Sequence, residues 1–299
     1  MAHFHRKPVI VPTDFSQASL HAVQVARSIA DSDSNVTVVY VTHDYDLIVP
    51  THTWGSDALP DNREEPQMER LRQWANDNEF GSINLQVRTG DPGTEVCKLA
   101  EELGCRLIVV PSHGRHGVKR ILLGSVTERV VRHCSCSVLV LRHAPEDGAV
   151  LSLPDHWLPR KRVVAPIDFS ESSSTTIETA IEITDDRANI DVVNVVPSFN
   201  DPVLIGSTVL TDEDRRANRQ EQLERYLAEH NYSGTQGHAL TGDPGMTIVK
   251  HAADVQADLI VMPSHGYHGL RRLVLGSTTE RVLRHSASPV LVLRRHDAQ

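Results

Sequence analysis

The sequence predicts two tandem α/β domains, each a doubly wound, five-stranded parallel sheet of the Rossmann-like class. With 299 residues, the chain is long enough for two domains of about 150 residues that each bury a core. One order of elements occurs twice, and the stretches 107–143 and 259–295 follow the same pattern almost residue by residue. Apolar runs alternate with amphipathic stretches, which is typical of a parallel sheet with helices on both faces.

In the first half, short apolar runs predict strands and periodic stretches predict helices. Strands are expected at 9–11, 36–41, 83–88, from 107 and at 138–141, and helices at 17–30, 66–78 and 93–103. Ser16 is a suitable N-cap for the first helix, and Asp91 followed by Pro92 indicates another helix start. Residues 43–65 are polar and are expected to be irregular.

The second half repeats this order. Strands are expected at 163–165, 190–195, 236–240, from 259 and at 290–293, with helices ending near 183 and spanning 212–230. The region between 196 and 211 is expected to be irregular. Residues 144–160 contain three prolines and no clear periodicity, so the predicted boundaries are 1–143 for the first domain, 144–160 for a linker and 161–299 for the second domain.

Composition limits the classes of function. The formal net charge of −9 argues against a nucleic-acid partner, since phosphate recognition usually requires a basic surface. The sequence has neither a run of 18 apolar residues nor the apolar core of a signal peptide at its start. We therefore expect a soluble, cytoplasmic protein without a membrane partner.

Cysteines occur only in the first half. The cysteines and the residues at the equivalent positions of the second half are Cys97, Cys105, Cys134 and Cys136, and Val249, Ala257, Ser286 and Ser288. Because a disulfide framework is hardly expected in one copy of a repeat, we expect these thiols to be unpaired.

The turns after the first and fourth strands are the expected place for chemistry, because doubly wound sheets bind ligands at the carboxyl ends of the strands where the strand order switches. The first half has Pro-Thr-Asp-Phe-Ser from Pro12, Gly-Asp-Pro from Gly90, and Ser-His-Gly from Ser112 followed by nine residues and Gly-Ser-Val-Thr-Glu-Arg-Val. These motifs, repeated in the second half, resemble the universal stress proteins of the UspA type, here as a tandem pair. The resemblance covers nearly the whole chain apart from the linker. It implies the universal stress protein fold, which is similar to that of the adenine nucleotide alpha hydrolases, and a role in regulating the stress response.

The resemblance also implies a ligand. The ATP-binding branch of the family carries Gly-x-x-Gly, nine residues, and Gly-Ser or Gly-Thr, so an adenine nucleotide, ATP with or without Mg²⁺, is the expected cofactor. Pro111 and Pro263 replace the leading glycine in the two halves. Proline has no N–H and a fixed φ, so a backbone donor is missing there. The other glycines allow close backbone approach, and the Gly-Ser helix start favours an anion. Whether the prolines abolish ATP binding stays open at this point.

The resemblance implies that Asp14 binds the ribose or adenine side, that the main chain of Val41 meets the adenine, and that the glycine loop holds the phosphates. The implied positions are Thr13, Asp14, Val41, Gly114, Arg115, Gly124, Ser125 and Val126 in the first half and Asp168, Val195, Gly266, Gly276 and Ser277 in the second. Ile167 replaces the threonine and Tyr267 replaces the arginine in the second half. That site is therefore less polar and less basic, and we expect it to be weaker or vestigial.

Each implied site residue also has a purely structural interpretation. Ser125 precedes Glu128 by three positions, which is the spacing of a capping box, and the second half repeats it. Asp14 can order its own turn by accepting backbone N–H groups. The His-x-x-His pairs that start at His113 and His265 suggest a metal, but no third ligand follows at a fixed spacing, so no metal site is predicted. The Cys-x-Cys from Cys134 is interpreted as buried small apolar residues.

No catalytic role is predicted, since the sequence contains neither a Gly-x-x-x-x-Gly-Lys-Ser phosphate loop nor a Gly-x-Ser-x-Gly nucleophile elbow. Slow ATP hydrolysis stays open. Two hypotheses remain: a stress-response regulator that binds ATP, and a stress-related scaffold that binds no nucleotide and acts through protein contacts. The last strand of each half is an apolar sheet edge, and the resemblance implies that these strands pair domain with domain. We expect an internal pseudo-dimer of the two domains and, beyond it, a homodimer.

Overall fold

The computed structural model describes residues 8–42, 64–113, 123–142, 157–198, 203–205, 208–265 and 275–294. The first half contains β1 (Val9–Thr13), α1 (Gln17–Ile29), β2 (Val36–Thr42), α2 (Glu65–Asp77), β3 (Asn84–Thr89), α3 (Pro92–Glu102), β4 (Leu107–Pro111), α4 (Ser125–His133) and β5 (Ser137–Leu141). The second half contains β6 (Val163–Pro166), α5 (Ser172–Glu182), β7 (Ile190–Val196), β8 (Val203–Ile205), β9 (Thr208–Leu210), α6 (Asp212–Glu229), β10 (Gln236–Thr241), α7 (Pro244–Asp254), β11 (Leu259–Pro263), α8 (Ser277–His285) and β12 (Val290–Leu293). The predicted elements are confirmed to within a few residues.

The two predicted five-stranded parallel sheets join into one ten-stranded sheet. Its order is β3-β2-β1-β4-β5-β12-β11-β6-β7-β10, and every pair is parallel except β5 with β12. In that antiparallel pair Leu139 lies opposite Leu291, with Val138 opposite Val292. The predicted pairing of the last strands and the internal pseudo-dimer are therefore confirmed.

The helices cover both faces of this sheet. Along β1, Val9 and Val11 point into a core formed with α1 and α2, and with α5 and α6 in the second half, whereas Ile10 points into the core under α3, α4, α7 and α8. The side chains of β4 and β5 are buried on both faces. Continuous apolar strands thus yield a doubly wound, Rossmann-like fold, as the sequence predicts.

One expectation about the cysteines is wrong. Cys97 in α3 and Cys134 after α4 form a disulfide, with Cα atoms 4.9 Å apart. The two helices pack against each other, which brings the thiols within bonding distance. A comparison of the repeats could not reveal this, since the equivalent pair in the second half is Val249 and Ser286. Cys105 and Cys136 are buried free thiols.

The predicted linker and one region expected to be irregular contain ordered structure. Trp157 is buried, and the Arg160 guanidinium lies 4.4 Å from the centre of its indole ring. The backbone N–H of Arg160 donates to the carbonyl of Ile183 at 2.7 Å, so residues 157–160 pack on the second half. β8 and β9 form an antiparallel pair within the region expected to be irregular. A Gly-Ser dipeptide between the triplets Val-Leu-Ile and Thr-Val-Leu, which are rich in β-branched residues, is a two-residue hairpin signal in the sequence. Region 43–63 lies outside the described residues.

Among the helices of the described ranges, none combines the length and the apolar character needed to cross a bilayer.

Candidate functional site

The switch in strand order lies between β1 and β4 in the first half, where β1 pairs with β2 on one side and β4 on the other. Because these strands are parallel, their carboxyl ends share one edge of the sheet. Thr13 ends β1, Val41 lies near the end of β2, and Ser112 follows β4. The backbone N–H of Gly124 donates to the Ser112 carbonyl at 2.8 Å, which fixes the start of α4 to the end of β4.

The structure thus brings most of the first-half residues implied by the sequence to one sheet edge. They are Thr13, Asp14, Val41, Gly124, Ser125 and Val126. Gly114 and Arg115 lie outside the described residues. Thr13 and Val41 are buried, whereas Ser125 is exposed at the first turn of α4.

The turn after β1 has an unusual backbone. Phe15 has φ of 63°, in the left-handed region that a residue with a Cβ rarely occupies. Two side chains hold it there: the Thr13 hydroxyl accepts the Phe15 N–H at 3.0 Å, and the Asp14 carboxylate accepts the Ser16 N–H at 3.0 Å. Asp14 therefore orders the turn, and any contact with a ligand is additional to that role.

Aromatic packing also fixes this turn. The ring centre of Phe15 lies 4.7 Å from that of Tyr40 and 5.8 Å from that of Trp74. The Arg70 guanidinium lies 4.1 Å from the centre of the Phe15 ring, within the range of a cation–π contact. Strained backbone held by its surroundings is frequent at binding sites, so this turn marks a candidate site independently of the motif.

The predicted capping box at the start of α4 is wrong. Gly124 is the N-cap and no side chain caps the helix, so Ser125 is the first helical residue. The reason is the tertiary bond from Gly124 to the end of β4, which starts the helix one residue earlier than the motif suggests. The second half is the same, with Gly276 as the N-cap and Ser277 as the first helical residue. Among the described residues, no side chain caps α4 or α8, whereas the Ser16 side chain caps α1.

An uncapped helix start is suited to an anion. The first N–H groups of a helix have no intrahelical acceptor, and the helix dipole places partial positive charge there. A phosphate bound at Ser125 and Val126 would satisfy such donors.

Pro111 has a structural role at the end of β4. Its carbonyl accepts the Thr127 hydroxyl at 2.7 Å, and Ser112 donates its N–H to the Leu141 carbonyl at 2.8 Å. Thr279 makes the equivalent bond to Pro263 at 2.9 Å. The proline positions therefore tie each fourth strand to the following helix and offer no backbone donor to a ligand.

The second half keeps the architecture of the site with a different polarity. Asp168 accepts the Ser170 N–H at 3.0 Å, and Phe169 has φ of 62°. Ile167 offers no hydroxyl to that turn, and its carbonyl accepts the Asn194 amide at 2.8 Å. Val195 lies near the end of β7, while Gly266 and Tyr267 lie outside the described residues.

The histidines after the fourth strands make local bonds. Nδ1 of His113 forms a hydrogen bond with the Ser112 hydroxyl at 3.1 Å. Nδ1 of His265 forms the equivalent bond with the Ser264 hydroxyl at 3.0 Å. Burial, together with the positive charge of Arg294, lowers the pKa of His265. The second histidines of both His-x-x-His pairs lie outside the described residues.

Sequence reasoning missed a buried polar cluster in the second half. Asp191 in β7 is fully buried and contacts Arg162, His238 and His251. Burial opposes the charge of Asp191, but hydrogen bonds from the two histidines and the charge of Arg162 hold its pKa below the usual range. An aspartate in a strand that is apolar apart from Asn194 is the signal that the sequence offers.

Comparison with known proteins identifies relatives along the whole chain. The sequence profile of the universal stress protein family matches residues 5–142 and 159–294. A universal stress protein of Methanocaldococcus jannaschii is 36% identical over 142 residues, covering 46% of this chain and 82% of that protein. One from Mycolicibacterium smegmatis is 25% identical over 296 residues, covering 96% of both chains. The crystal structure of a universal stress protein from Archaeoglobus fulgidus covers 100% of both chains with a TM-score of 0.64 and 22% identity, a likeness of fold.

Proposed function

The chain belongs to the universal stress protein family, and we propose that it is a stress-response regulatory protein that binds ATP in its first half. In this proposal the second half is the weaker or vestigial site. Mg²⁺ accompanies the nucleotide as its counter-ion. The protein acts by binding, and no catalytic residue is assigned.

The uncapped start of α4 at the strand-order switch is the observation that carries the proposal. Ser125 is exposed there, and Gly124 connects the helix start to the end of β4. Phosphates at this position gain backbone donors and the helix dipole. The ordered Asp14 turn lies at the same edge and offers a carboxylate to ribose hydroxyls.

The two halves differ in a way that favours the first. Thr13 gives the first half a hydroxyl where Ile167 gives the second half an alkyl group. Arg115 provides a cation in the glycine loop of the first half, where the second half has Tyr267. Both differences make the second site less polar, so it is less suited to a triphosphate.

The prolines support a second candidate function, a scaffold that binds no nucleotide. Pro111 provides no N–H at the edge of the site, and its carbonyl is already engaged by Thr127. Such a protein would act through its surface or the outer strands β3 and β10. The regulatory proposal differs from it because nucleotide occupancy changes contacts with a second copy or a partner.

A negative charge introduced at the start of α4 distinguishes the ATP-binding regulator from the scaffold. Ser125→Asp places a carboxylate at the first turn, where it stabilises the helix by about 0.3 to 1 kcal/mol but repels a phosphate. We expect calorimetric titration with Mg·ATP to show an affinity at least about tenfold weaker than wild type, a loss of about 1.4 kcal/mol. Ser277→Asp is the matched control in the second half and keeps the wild-type affinity.

The melting temperature of each variant checks the fold. Ser125→Asp is expected to melt at or slightly above the wild-type temperature, because an acidic residue suits a helix start. Equal ATP affinity in wild type and Ser125→Asp would reject the assigned phosphate position. Loss of affinity in Ser277→Asp alone would move the site to the second half.

A further inference from the structure

A side-chain cluster in the second half lies apart from the nucleotide site. Asp191 in β7, His238 in β10 and His251 in α7 bring one carboxylate and two imidazoles together, with all ligand atoms within 4.8 Å of one another. The cluster lies between the sheet and α7, at the outer edge of the second half where β10 is the last strand. We propose that Asp191, His238 and His251 form a zinc site.

The distances suit a tetrahedral ion. Nε2 of His238 lies 3.4 Å from Oδ1 of Asp191, and Nε2 of His251 lies 3.2 Å from Oδ2. Two ligands that each lie about 2.1 Å from a tetrahedral zinc ion are about 3.4 Å apart. The first of these contacts is long for a hydrogen bond. Each contact is close to the edge of a zinc tetrahedron, and because they reach different carboxylate oxygens, an ion needs only a small rotation of one imidazole or of the carboxylate.

The donor set is also one that zinc prefers. Two neutral imidazoles and one carboxylate leave the fourth position for water, as in sites of the two-histidine, one-carboxylate type. Both histidines aim Nε2 at the same carboxylate, which defines the side from which the ion binds. Asp191 is fully buried at the back, whereas the side chain of His238 is 34% exposed, so an ion and its water can reach the cluster from solvent.

Arg162 balances the carboxylate in the metal-free protein. One of its terminal nitrogens lies 2.9 and 3.0 Å from the two oxygens of Asp191. A carboxylate offers about four lone-pair sites, so it can keep this bond as an outer-shell contact while binding a metal. Arg162 therefore gives the buried carboxylate a permanent counter-charge in addition to the hydrogen bonds from the two histidines.

The first half shows that the fold does not require the cluster. The strand registers and the helix starts align Asp191 with Thr37, His238 with Gln86 and His251 with Leu99. Thr37 and Leu99 are buried, and Gln86 is partly exposed and accepts a bond from Arg88, so the first half has no ionisable cluster at this place. The carboxylate with its two histidines is therefore a feature of the second half alone, and the first half reaches the same architecture without it.

His251 gives the cluster a second connection to solvent. It also lines an open cleft between α6 and α7, whose charged lining comprises Asp212, Glu213, Asp254, Arg216 and Lys250. Three carboxylates against two cations leave a small excess of negative charge, which does not repel a divalent cation.

The test is zinc binding to the full-length chain, prepared without an affinity tag and stripped with a chelator. Competition of Zn²⁺ against a chromophoric chelator measures the affinity and stoichiometry. We expect one tight equivalent per chain in the wild type. His238→Gln and His251→Leu introduce the first-half residues and are expected to weaken this equivalent by about 100-fold or more, because even outer-shell partners cost about 10- to 100-fold when removed.

Two controls separate this site from the other 15 histidines of the chain. His285→Gln changes an exposed histidine at the end of α8 and is expected to keep the tight equivalent. His113→Gln tests the His-x-x-His loop of the first half and is also expected to keep it. Loss of the equivalent in either control, with retention in His238→Gln, would overturn the assignment.

Cobalt gives an independent measurement of geometry. Tetrahedral Co²⁺ absorbs visible light much more strongly than octahedral Co²⁺, so the wild type is expected to develop intense bands that both cluster variants lack. Far-ultraviolet circular dichroism confirms that the variants are folded. A wild type with no stoichiometric Zn²⁺, or cluster variants that bind Zn²⁺ and Co²⁺ like the wild type, would overturn the proposal.

Discussion

Arg142 and Arg294 cross the boundary between the halves in opposite directions. Arg142 follows β5 and donates to the carbonyl of Leu283 in α8, whereas Arg294 follows β12 and donates to the carbonyls of Val131 and Arg132 in α4. The last carbonyls of a helix lack intrahelical donors, and a cation there suits the helix dipole. Burial lowers the pKa of Arg142 to about 10, so it keeps its charge at neutral pH.

This exchange predicts that the two halves stabilise each other. Arg142→Met removes a charged donor from a buried carbonyl and is expected to lower the free energy of unfolding by about 1 to 3 kcal/mol. Urea unfolding followed by circular dichroism measures the change. Arg72→Met is the control, because the ion pairs of Arg72 with Glu65 and Glu69 are exposed and their loss should cost less than about 0.5 kcal/mol. Equal midpoints for the two variants would contradict the cross-boundary role.

The disulfide predicts that stability depends on the redox state. Cys97 and Cys134 are separated by 37 positions. Closing a loop of that length stabilises the folded state by about 4 kcal/mol in the chain-entropy account. Cys97→Val/Cys134→Ser, which introduces the second-half residues, should therefore unfold at lower urea, as should the reduced wild type. A wild-type midpoint that does not respond to a thiol reductant would contradict this prediction.

Asp14 orders its own turn and has a proposed role in binding ATP, and one substitution separates the two. Asp14→Asn keeps an oxygen that accepts the Ser16 N–H, so the free energy of unfolding should change by less than about 0.5 kcal/mol. The charge that would accept ribose hydroxyls is lost, and we expect ATP affinity to fall about five- to tenfold. Calorimetry measures the ATP affinity of Asp14→Asn, with Asp168→Asn, the equivalent substitution in the second half, as the control. If Asp14→Asn bound ATP as tightly as the wild type, the function of Asp14 would be limited to ordering its turn.

His265 predicts a pH dependence of stability. Burial and Arg294 lower its pKa in the folded protein, below an unfolded value of about 6.5. As the pH falls, the unfolded chain binds the proton first, so His265 makes the folded state less stable below about pH 7. The loss of unfolding free energy between about pH 8 and about pH 5.5 should be smaller in His265→Gln than in the wild type. Parallel pH profiles for the two proteins would contradict the lowered pKa.

The fold could be predicted because its signals are local and occur twice. Apolar runs such as Val36–Thr42 and helix starts such as Asp91 depend on neighbouring residues only, and the structure has them where the sequence indicates. Two apolar edges indicated that β5 and β12 would find partners, and the family resemblance implied that they pair with each other, which the structure confirms.

Features that depend on distant partners could not be predicted. The start of α4 is set by the bond from Gly124 to Ser112, so the capping-box spacing was misleading. The disulfide depends on how α3 packs against α4. Asp191, His238 and His251 lie on three separate elements, and only the folded sheet brings them together.

ATP binding by the intact chain is the central claim, and equilibrium dialysis against labelled Mg·ATP tests it most directly. We predict that the wild type retains nucleotide in a saturable manner and approaches one equivalent per chain, because the proposal makes the first half the stronger site. No ATP retained by the folded protein at about millimolar nucleotide, where even a site with a free energy of binding near −4 kcal/mol is about half filled, would contradict it.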